Sequence, residues 1–493
     1  MRKQIRRITL GVVALFALLF VNLNVIAVLQ AEELRTDQRN ARGLLAEYET
    51  PRGAMIAGQG GASVEIAGST STGGRLDYLR EYPEGPTYAH VTGFHSFVYG
   101  RSELESSFND FLIGSAPEAF ARNIADLLAG RQRAGDTLQL TIDPRVQRAA
   151  VDALDGRVGA IVAVAPATGE ILALASAPTY DPNPLASHDG SEVREAWSAL
   201  SDRDVDPRLN RALRETYPPG STFKLVSGAA ALESGVRPDT VYPDPPALEL
   251  PLTEATIRNF GSGVCADGSS ITLSRAMAVS CNTTFGQIGL DLGTDRLVRQ
   301  AERFGLNAEW DLQMDRIAES AIPDDLDEPS TAQSAIGQRD VRTTPLQVAM
   351  MSAAIANDGE LVEPRIVRHV EDVSGRVLTR FDPEPLRFAG SAQAVSAGTA
   401  AALRDMMVEA VEDGTGTGAA IGGVRVGGKT GTAQRGEGEP PTVWFTGFAP
   451  AELPEVAVAV VITDTGAGDT GGSVAAPKAR AVIEAALAGN EQD

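Results

Sequence analysis

The chain opens on a long apolar run. After the basic segment MRKQIRR, residues 8–29 (ITLGVVALFALLFVNLNVIAVL) are 22 uncharged and mostly apolar positions. At about 1.5 Å per residue, a helix of this length crosses a hydrocarbon core of about 30 Å. The basic residues in front of it favour a cytoplasmic N-terminus. The run is long for the apolar part of a signal peptide, and AVLQAEE is a poor small-x-small cleavage site. It is read as an uncleaved transmembrane anchor, with residues 1–7 cytoplasmic and everything beyond residue 30 exported. Residues 31–49 then read as a charged helix continuing outward.

From 50 to 140 the pattern is mixed. Short apolar runs (ASVEIAG, YAHVTGF) alternate with glycines, and APEAFARNIADLLAG, 116–130, has a helical period. Residues 31–140 are expected to form a modest non-catalytic domain. GRQRAGD, 130–136, reads as a linker and TLQLTID as a short strand. Beyond residue 157 the signals sharpen. VGAIVAVAPATGEILALAS is two apolar strands about a turn-rich PATGE. An apolar helix is predicted over 221–233, and helical patterns run over 271–303 and 343–357. VGGKTGTAQ, TVWFTGFAP and VAVAVVIT are three successive strands, and AAPKARAVIEAALAG is a closing helix. Two strands early and three late predict an α+β domain over 141–490, its single sheet interrupted by a long helical insertion.

Composition narrows the function classes. The net charge is −22, so a phosphate backbone would be repelled and a nucleic-acid surface is excluded. Of 43 Lys plus Arg only Lys3, Lys224, Lys429 and Lys478 are lysines. Arg keeps its proton in proteins, whereas a buried Lys can lose it. The two cysteines, Cys265 and Cys281, lie in an exported region and are expected to be bridged. The closed loop of about sixteen residues would be worth ~3 kcal/mol on the chain-entropy model.

Three motifs carry chemistry. Ser221 and Lys224 in PPGSTFKLVSG lie three apart on a helical pattern, so their side chains share a face. A neutral amine there can take the Ser proton and leave a nucleophile. A capping Ser with a solvent-facing Lys is the plain alternative, but TFKLVSGAAALE is too apolar for a casual Lys. Ser280 and Asn282 in VSCNTTF form Ser-x-Asn, a hydroxyl able to relay a proton beside an amide able to hold a peptide. Lys429, Thr430, Gly431 and Thr432 lie in a glycine-flanked strand, which suits close backbone approach and the grip of a carboxylate. Lys429 near Lys224 would also depress the Lys224 amine by like-charge repulsion.

In this order, with separations of 59 and 149 residues, the motifs resemble those of the acyl-serine enzymes that recognise penicillin. GAIVAVAPATGEILALASAPTYDPN, AIGQRDVRTTPLQVAMMSAAIANDG and VWFTGFAP are also similar to segments of that family. The chain is identified as resembling the class B penicillin-binding proteins, and within them the PbpA-type enzymes of actinobacteria, to which VTGFHSFVYGRSELESSFNDFLIG is similar. The resemblance implies a five-stranded antiparallel sheet flanked by helices. It implies a peptidoglycan D,D-transpeptidase in which Ser221 attacks, Lys224 is the base, Ser280 relays a proton, Asn282 orients the peptide, and Lys429, Thr430 and Thr432 hold the terminal carboxylate. β-Lactams would acylate Ser221. No cofactor and no metal is implied. The implied partners are stem peptides, the cytoplasmic membrane, and proteins of the division or elongation machinery.

Other classes fit less well. The four histidines lie outside the Ser221 stretch, which is not G-x-S-x-G. No H-E-x-x-H is present, and although residues 423–430 (GVRVGGKT) match the G-x-x-x-x-G-K-[ST] spacing, the Lys429 stretch reads as a strand and not as a loop opening a helix, so no phosphate loop is expected. A β-lactamase would need a Glu to activate the deacylating water, and none is obvious. A D,D-carboxypeptidase shares the first half-reaction and stands as an alternative, as does a catalytically silent scaffold or β-lactam sensor.

Overall fold

The computed structural model describes residues 2–25, 47–74, 76–119, 133–261, 263–310, 313–314, 316–434, 439–466 and 468–489. The expected helix over 31–49 and the amphipathic stretch over 116–130 fall largely outside them. The apolar N-terminal run is a single helix, Arg2–Asn24. Its stretch Gln4–Asn24 has a mean hydropathy of 1.8, is wholly unburied, and is long and apolar enough to cross a membrane.

The larger unit is built in chain order from helix α1 (Pro144–Leu154), strands β1 (Gly159–Val164) and β2 (Ile171–Ala177), and helices α2 (Lys224–Glu233), α3 (Asn282–Leu292), α4 (Pro345–Ala356) and α5 (Ala397–Asp413). It closes with strands β3 (Gly427–Ala433), β4 (Thr442–Ala449) and β5 (Val456–Ile462) and helix α6 (Ala476–Leu487). The strands form one five-stranded sheet in the order β3-β4-β5-β1-β2, antiparallel throughout. The early hairpin joins the late trio by pairing β1 with β5, Val460 opposite Ile161. This is the expected sheet.

Alternation along the strands assigns each residue to one of two cores. Ala160, Val162 and Val164 of β1, with Ala457, Ala459 and Val461 of β5, pack into the core that holds α4. Ile161 and Ala163, with Val458 and Val460, pack against α1 and α6. Both faces are therefore covered, which is why these strands read as continuous apolar runs.

The helical pattern over 271–303 resolves into Leu273–Ala278, α3 and Thr294–Arg303. The first break falls at Ser280, whose φ is +62°. An L-residue in that region costs about 1–2 kcal/mol, and Ser280 therefore needs neighbours that hold it there.

A second, six-stranded sheet runs in the order 377–380, 367–371, 137–140, 55–57, 64–71, 78–81. Strand 367–371 pairs with 137–140, so a hairpin from the middle of the larger unit completes the sheet of the N-terminal region. The regions are also joined by side chains. Arg214 pairs with Glu103 at 2.9 Å, and the Asn210 amide donates to His90 O at 3.0 Å.

Candidate active site

Pro218 and Pro219 precede the Ser221 segment and bring no N–H groups. The chain then enters a tight 3-10 turn, Gly220–Phe223, and continues as α2 from Lys224. The helix expected from 221 thus starts one turn later, and Ser221 sits in the turn. Gly220 has φ +52°, and a Cβ there would lie 3.1 Å from Thr432 O and 3.1 Å from the Ala433 Cβ. The turn is pressed onto β3, so glycine is required both by conformation and by space. Trp444, from the middle of the sheet, donates its indole N–H to Pro218 O at 3.0 Å. The Gly220 N–H bonds Gly337 O at 2.9 Å, which brings the AIGQRD segment to the same turn.

Lys224 projects from the first turn of α2 into a fully buried site. Its ammonium donates to Ser280 O at 2.7 Å, to Asn282 Oδ1 at 2.7 Å and to Ser280 Oγ at 3.3 Å. Burial, and then the charge of Lys429, push its pKa well below the ordinary lysine value. Lys429, also fully buried, donates to Ser280 Oγ at 2.8 Å and to Thr430 O at 3.1 Å. Burial lowers its pKa to about 7. The three motifs, far apart in the chain, thus meet at the hydroxyl of Ser280. The amines are buried, while Ser221, Ser280, Asn282 and Thr432 keep partial exposure. A solute can reach the hydroxyls and the amide but not the lysines.

β3 is the edge strand of the sheet. A Cβ on Gly431 would come within 2.9 Å of Pro219 O and 3.0 Å of the Thr222 methyl, so the glycine of Lys-Thr-Gly admits the Ser221 turn. Thr430 Oγ1 bonds Thr415 Oγ1 at 2.6 Å, and Thr432 Oγ1 accepts from the Gly471 N–H at 3.3 Å.

Cys265 and Cys281 are joined by a disulfide. The Asp244 carboxylate lies beside them, but both sulfurs are consumed in the bond. Asp244 itself accepts N–H bonds from Cys265, Ala266 and Gly268 at 2.7–3.1 Å, so the three residues do not make a metal site.

Thr415, Trp444 and the pair Arg258-Asn259 also touch the motif residues, and sequence reasoning passed over them. Thr415 stands in DGTGTGAAI, whose composition signals only a loop after a helix. Trp444 was legible as a strand residue, not as the anchor of a turn. Asn259 stands in a stretch of the sequence with no periodic pattern and no adjacent helix start.

Residues 159–484 match the family model for the penicillin-binding protein transpeptidase domain, and residues 52–138 match the penicillin-binding protein A dimerisation domain. The chain is 44% identical to a peptidoglycan D,D-transpeptidase PbpA of Mycolicibacterium smegmatis, over 99% of each chain. It is 40% identical to a PbpA of Mycobacterium tuberculosis, over 99% of this chain and all of the other. Among solved structures it is similar to a ceftriaxone acyl-enzyme complex of penicillin-binding protein A from M. tuberculosis. That likeness has a TM-score of 0.85 and 40% identity, and covers 90% of this chain and all of the other. A penicillin G acyl-enzyme complex of that protein gives a TM-score of 0.83 at 39% identity, over 89% of this chain. With Ser221, Lys224, Ser280, Asn282 and the 429–432 strand gathered at one site, and two thirds of its length matched by the transpeptidase model, the chain belongs to the penicillin-binding protein transpeptidase family.

Proposed function

We propose that the protein is a peptidoglycan D,D-transpeptidase that works through an acyl-serine and is inhibited by β-lactams. The observation that carries this is the convergence of two buried lysines on the hydroxyl of Ser280, one of them, Lys224, standing one turn after Ser221. Relatives over the full length are D,D-transpeptidases, and a similar structure is a β-lactam acyl-enzyme.

The residues take these roles. Ser221 Oγ attacks the carbonyl of the penultimate D-Ala of a stem peptide. Lys224, held neutral by burial and by the neighbouring charge of Lys429, takes the Ser221 proton. The N–H groups of Ser221 and Thr432 face the developing oxyanion, a role supported by the close approach of the Gly220 turn to Thr432. Lys429, still charged, attracts the terminal carboxylate, and the Thr430 and Thr432 hydroxyls bond it. Asn282 offers its second amide N–H to the peptide. Ser280 passes a proton to the departing D-Ala amine and takes the Ser221 proton in its place from Lys224, which is neutral again. An amine of a neighbouring stem then attacks the acyl carbon and loses a proton to Lys224, the ester C–O bond breaks to leave an amide crosslink, and Lys224 returns the proton to Ser221 Oγ.

The same reading places residues 1–7 in the cytoplasm, residues 8–29 across the membrane once, and the domains at 31–140 and 141–490 outside. Proteins of the wall-synthesis machinery are its proposed neighbours.

Labelling with fluorescent penicillin tests the nucleophile: wild type should be labelled and Ser221→Ala should not. Incubation with lipid-linked pentapeptide and glycan polymer tests the acceptor. Crosslinked dimers are expected, and free D-Ala alone would make the protein a carboxypeptidase.

A further inference from the structure

Residues 241–272 leave the domain as two small strand pairs, 241–243 with 270–272 and 247–249 with 256–258. The inner pair lies on α3 at Gly286, where a Cβ would meet Ile257 at 2.8 Å and Leu248 at 2.9 Å. It delivers Arg258 and Asn259 to the N-terminus of α3.

The first turn of a helix leaves N–H groups without partners, and the side chain of the preceding residue usually accepts from them. Here that residue is Cys281, which makes no side-chain cap bond because its sulfur belongs to the disulfide. Asn259 does the work from another segment. Its Oδ1 accepts from the N–H groups of Asn282 at 2.9 Å and Thr283 at 3.0 Å. Its Nδ2 donates to Gly263 O at 2.7 Å and to Thr283 Oγ1 at 3.2 Å. The adjoining Arg258 O accepts from Asn282 Nδ2 at 2.9 Å. With its nitrogen turned to Arg258, Asn282 presents Oδ1 to the Lys224 ammonium, and the opposite orientation would set two donors against each other.

We infer that Asn259 is a positioning residue for acylation: it caps α3 from outside and so holds Asn282, and through it the Ser280 turn, against Lys224. The inference rests on the proposal that Ser221 is the nucleophile. Asn259 hydrogen-bonds neither amine and acts through Asn282 and Thr283, so its effect is expected on the rate of the chemical step rather than on initial binding.

The test uses the full-length protein in detergent and fluorescent penicillin under stopped flow, which separates the maximal acylation rate from the half-saturating concentration. Asn259→Ala should lower the maximal rate by about tenfold or more and leave half-saturation nearly unchanged. Asn259→Asp keeps an oxygen for the same two N–H groups but turns its other oxygen on Gly263 O, so it should recover part of the loss and run at least about threefold faster than Asn259→Ala. A smaller loss in Asn259→Ala, or an Asp variant as slow as the Ala variant, overturns the inference. If Asn259→Ala does not fold, Asn259→Gln replaces it, because the longer amide cannot cap at the same distance, and the same outcomes apply. Ser221→Ala runs alongside. Label on that variant overturns the nucleophile assignment itself, whereas an unlabelled Ser221→Ala beside a fast Asn259→Ala overturns only the role of Asn259.

Discussion

Lys224 and Lys429 point their ammonium groups at the same oxygen, Ser280 Oγ, from 3.3 and 2.8 Å. Two buried cations so placed repel each other, and one of them is best neutral. The asymmetry is built in. Lys224 is lowered by burial and by the charge of Lys429, while Lys429 is lowered by burial alone. The extra like-charge cause falls on Lys224, which favours a neutral Lys224 beside a charged Lys429. This is the division the proposed mechanism uses, with one amine as base and the other as anchor for a carboxylate.

That division predicts a pH profile. The second-order rate of acylation reports the free enzyme. It should fall as pH rises through about 7, where Lys429 loses its charge. In Lys429→Arg the cation cannot be titrated away, so the alkaline fall should vanish even where the absolute rate is lower. Rates for both proteins across the neutral and alkaline range, read with a carboxylate-bearing β-lactam, decide the matter. An alkaline limb that persists unchanged in the Arg variant would sink the assignment.

Lys224→Arg keeps the positive charge and removes the base. General-base catalysis contributes about 10²–10⁴-fold, and a loss of that order is expected in the rate of penicillin labelling. Near-normal acylation by this variant would refute proton transfer to Lys224.

Much of this site was legible before the fold. The scarcity of lysine marked Lys224 and Lys429, and their motifs stood in the expected order. Apolar runs marked β1, β2, β4 and β5, and the glycine-flanked Lys-Thr-Gly stretch marked β3. What stayed hidden was non-local. Nothing in Trp444 tells that its indole holds Pro218, since that bond depends on the register of β4 against the turn. Asn259 caps a helix whose first residue lies 23 positions further on, and capping patterns are legible only when the cap is adjacent in sequence. The hairpin 367–380 gave no sign that it would complete another region's sheet. Its strands are short and half-exposed, and their partner is set by tertiary packing.

The disulfide closes the Ser280–Asn282 segment onto the Asn259 loop across 16 residues. Replacing both cysteines with Ser should lower unfolding stability by about 3 kcal/mol, measured by chemical denaturation. Wild type under reductant should show the same decrease. Equal stability of the two proteins would mean that the loop is held by its hydrogen bonds alone.

Glu105 supplies an acid-sensitive lock in the N-terminal region. Its carboxylate is fully buried, bonded by Arg52 on one oxygen and by Arg80 at 2.6 Å and Tyr82 at 3.1 Å on the other. Burial alone would raise its pKa, but the two guanidinium charges outweigh it and bring it from 4.5 to about 2. A carboxyl depressed on folding stabilises the native state fully above its unfolded value, and that contribution is lost as pH falls from about 4.5 toward 2. Glu105→Gln removes the anion and leaves two buried cations uncompensated, at a cost of about 3–5 kcal/mol at neutral pH. The same variant has no carboxyl left to protonate at that position, so its stability should decline less steeply between neutral and acid pH. Denaturation of both proteins at pH about 7 and about 3 measures the two effects together. A variant whose stability falls with acid as steeply as wild type would show that Glu105 is not the group being titrated.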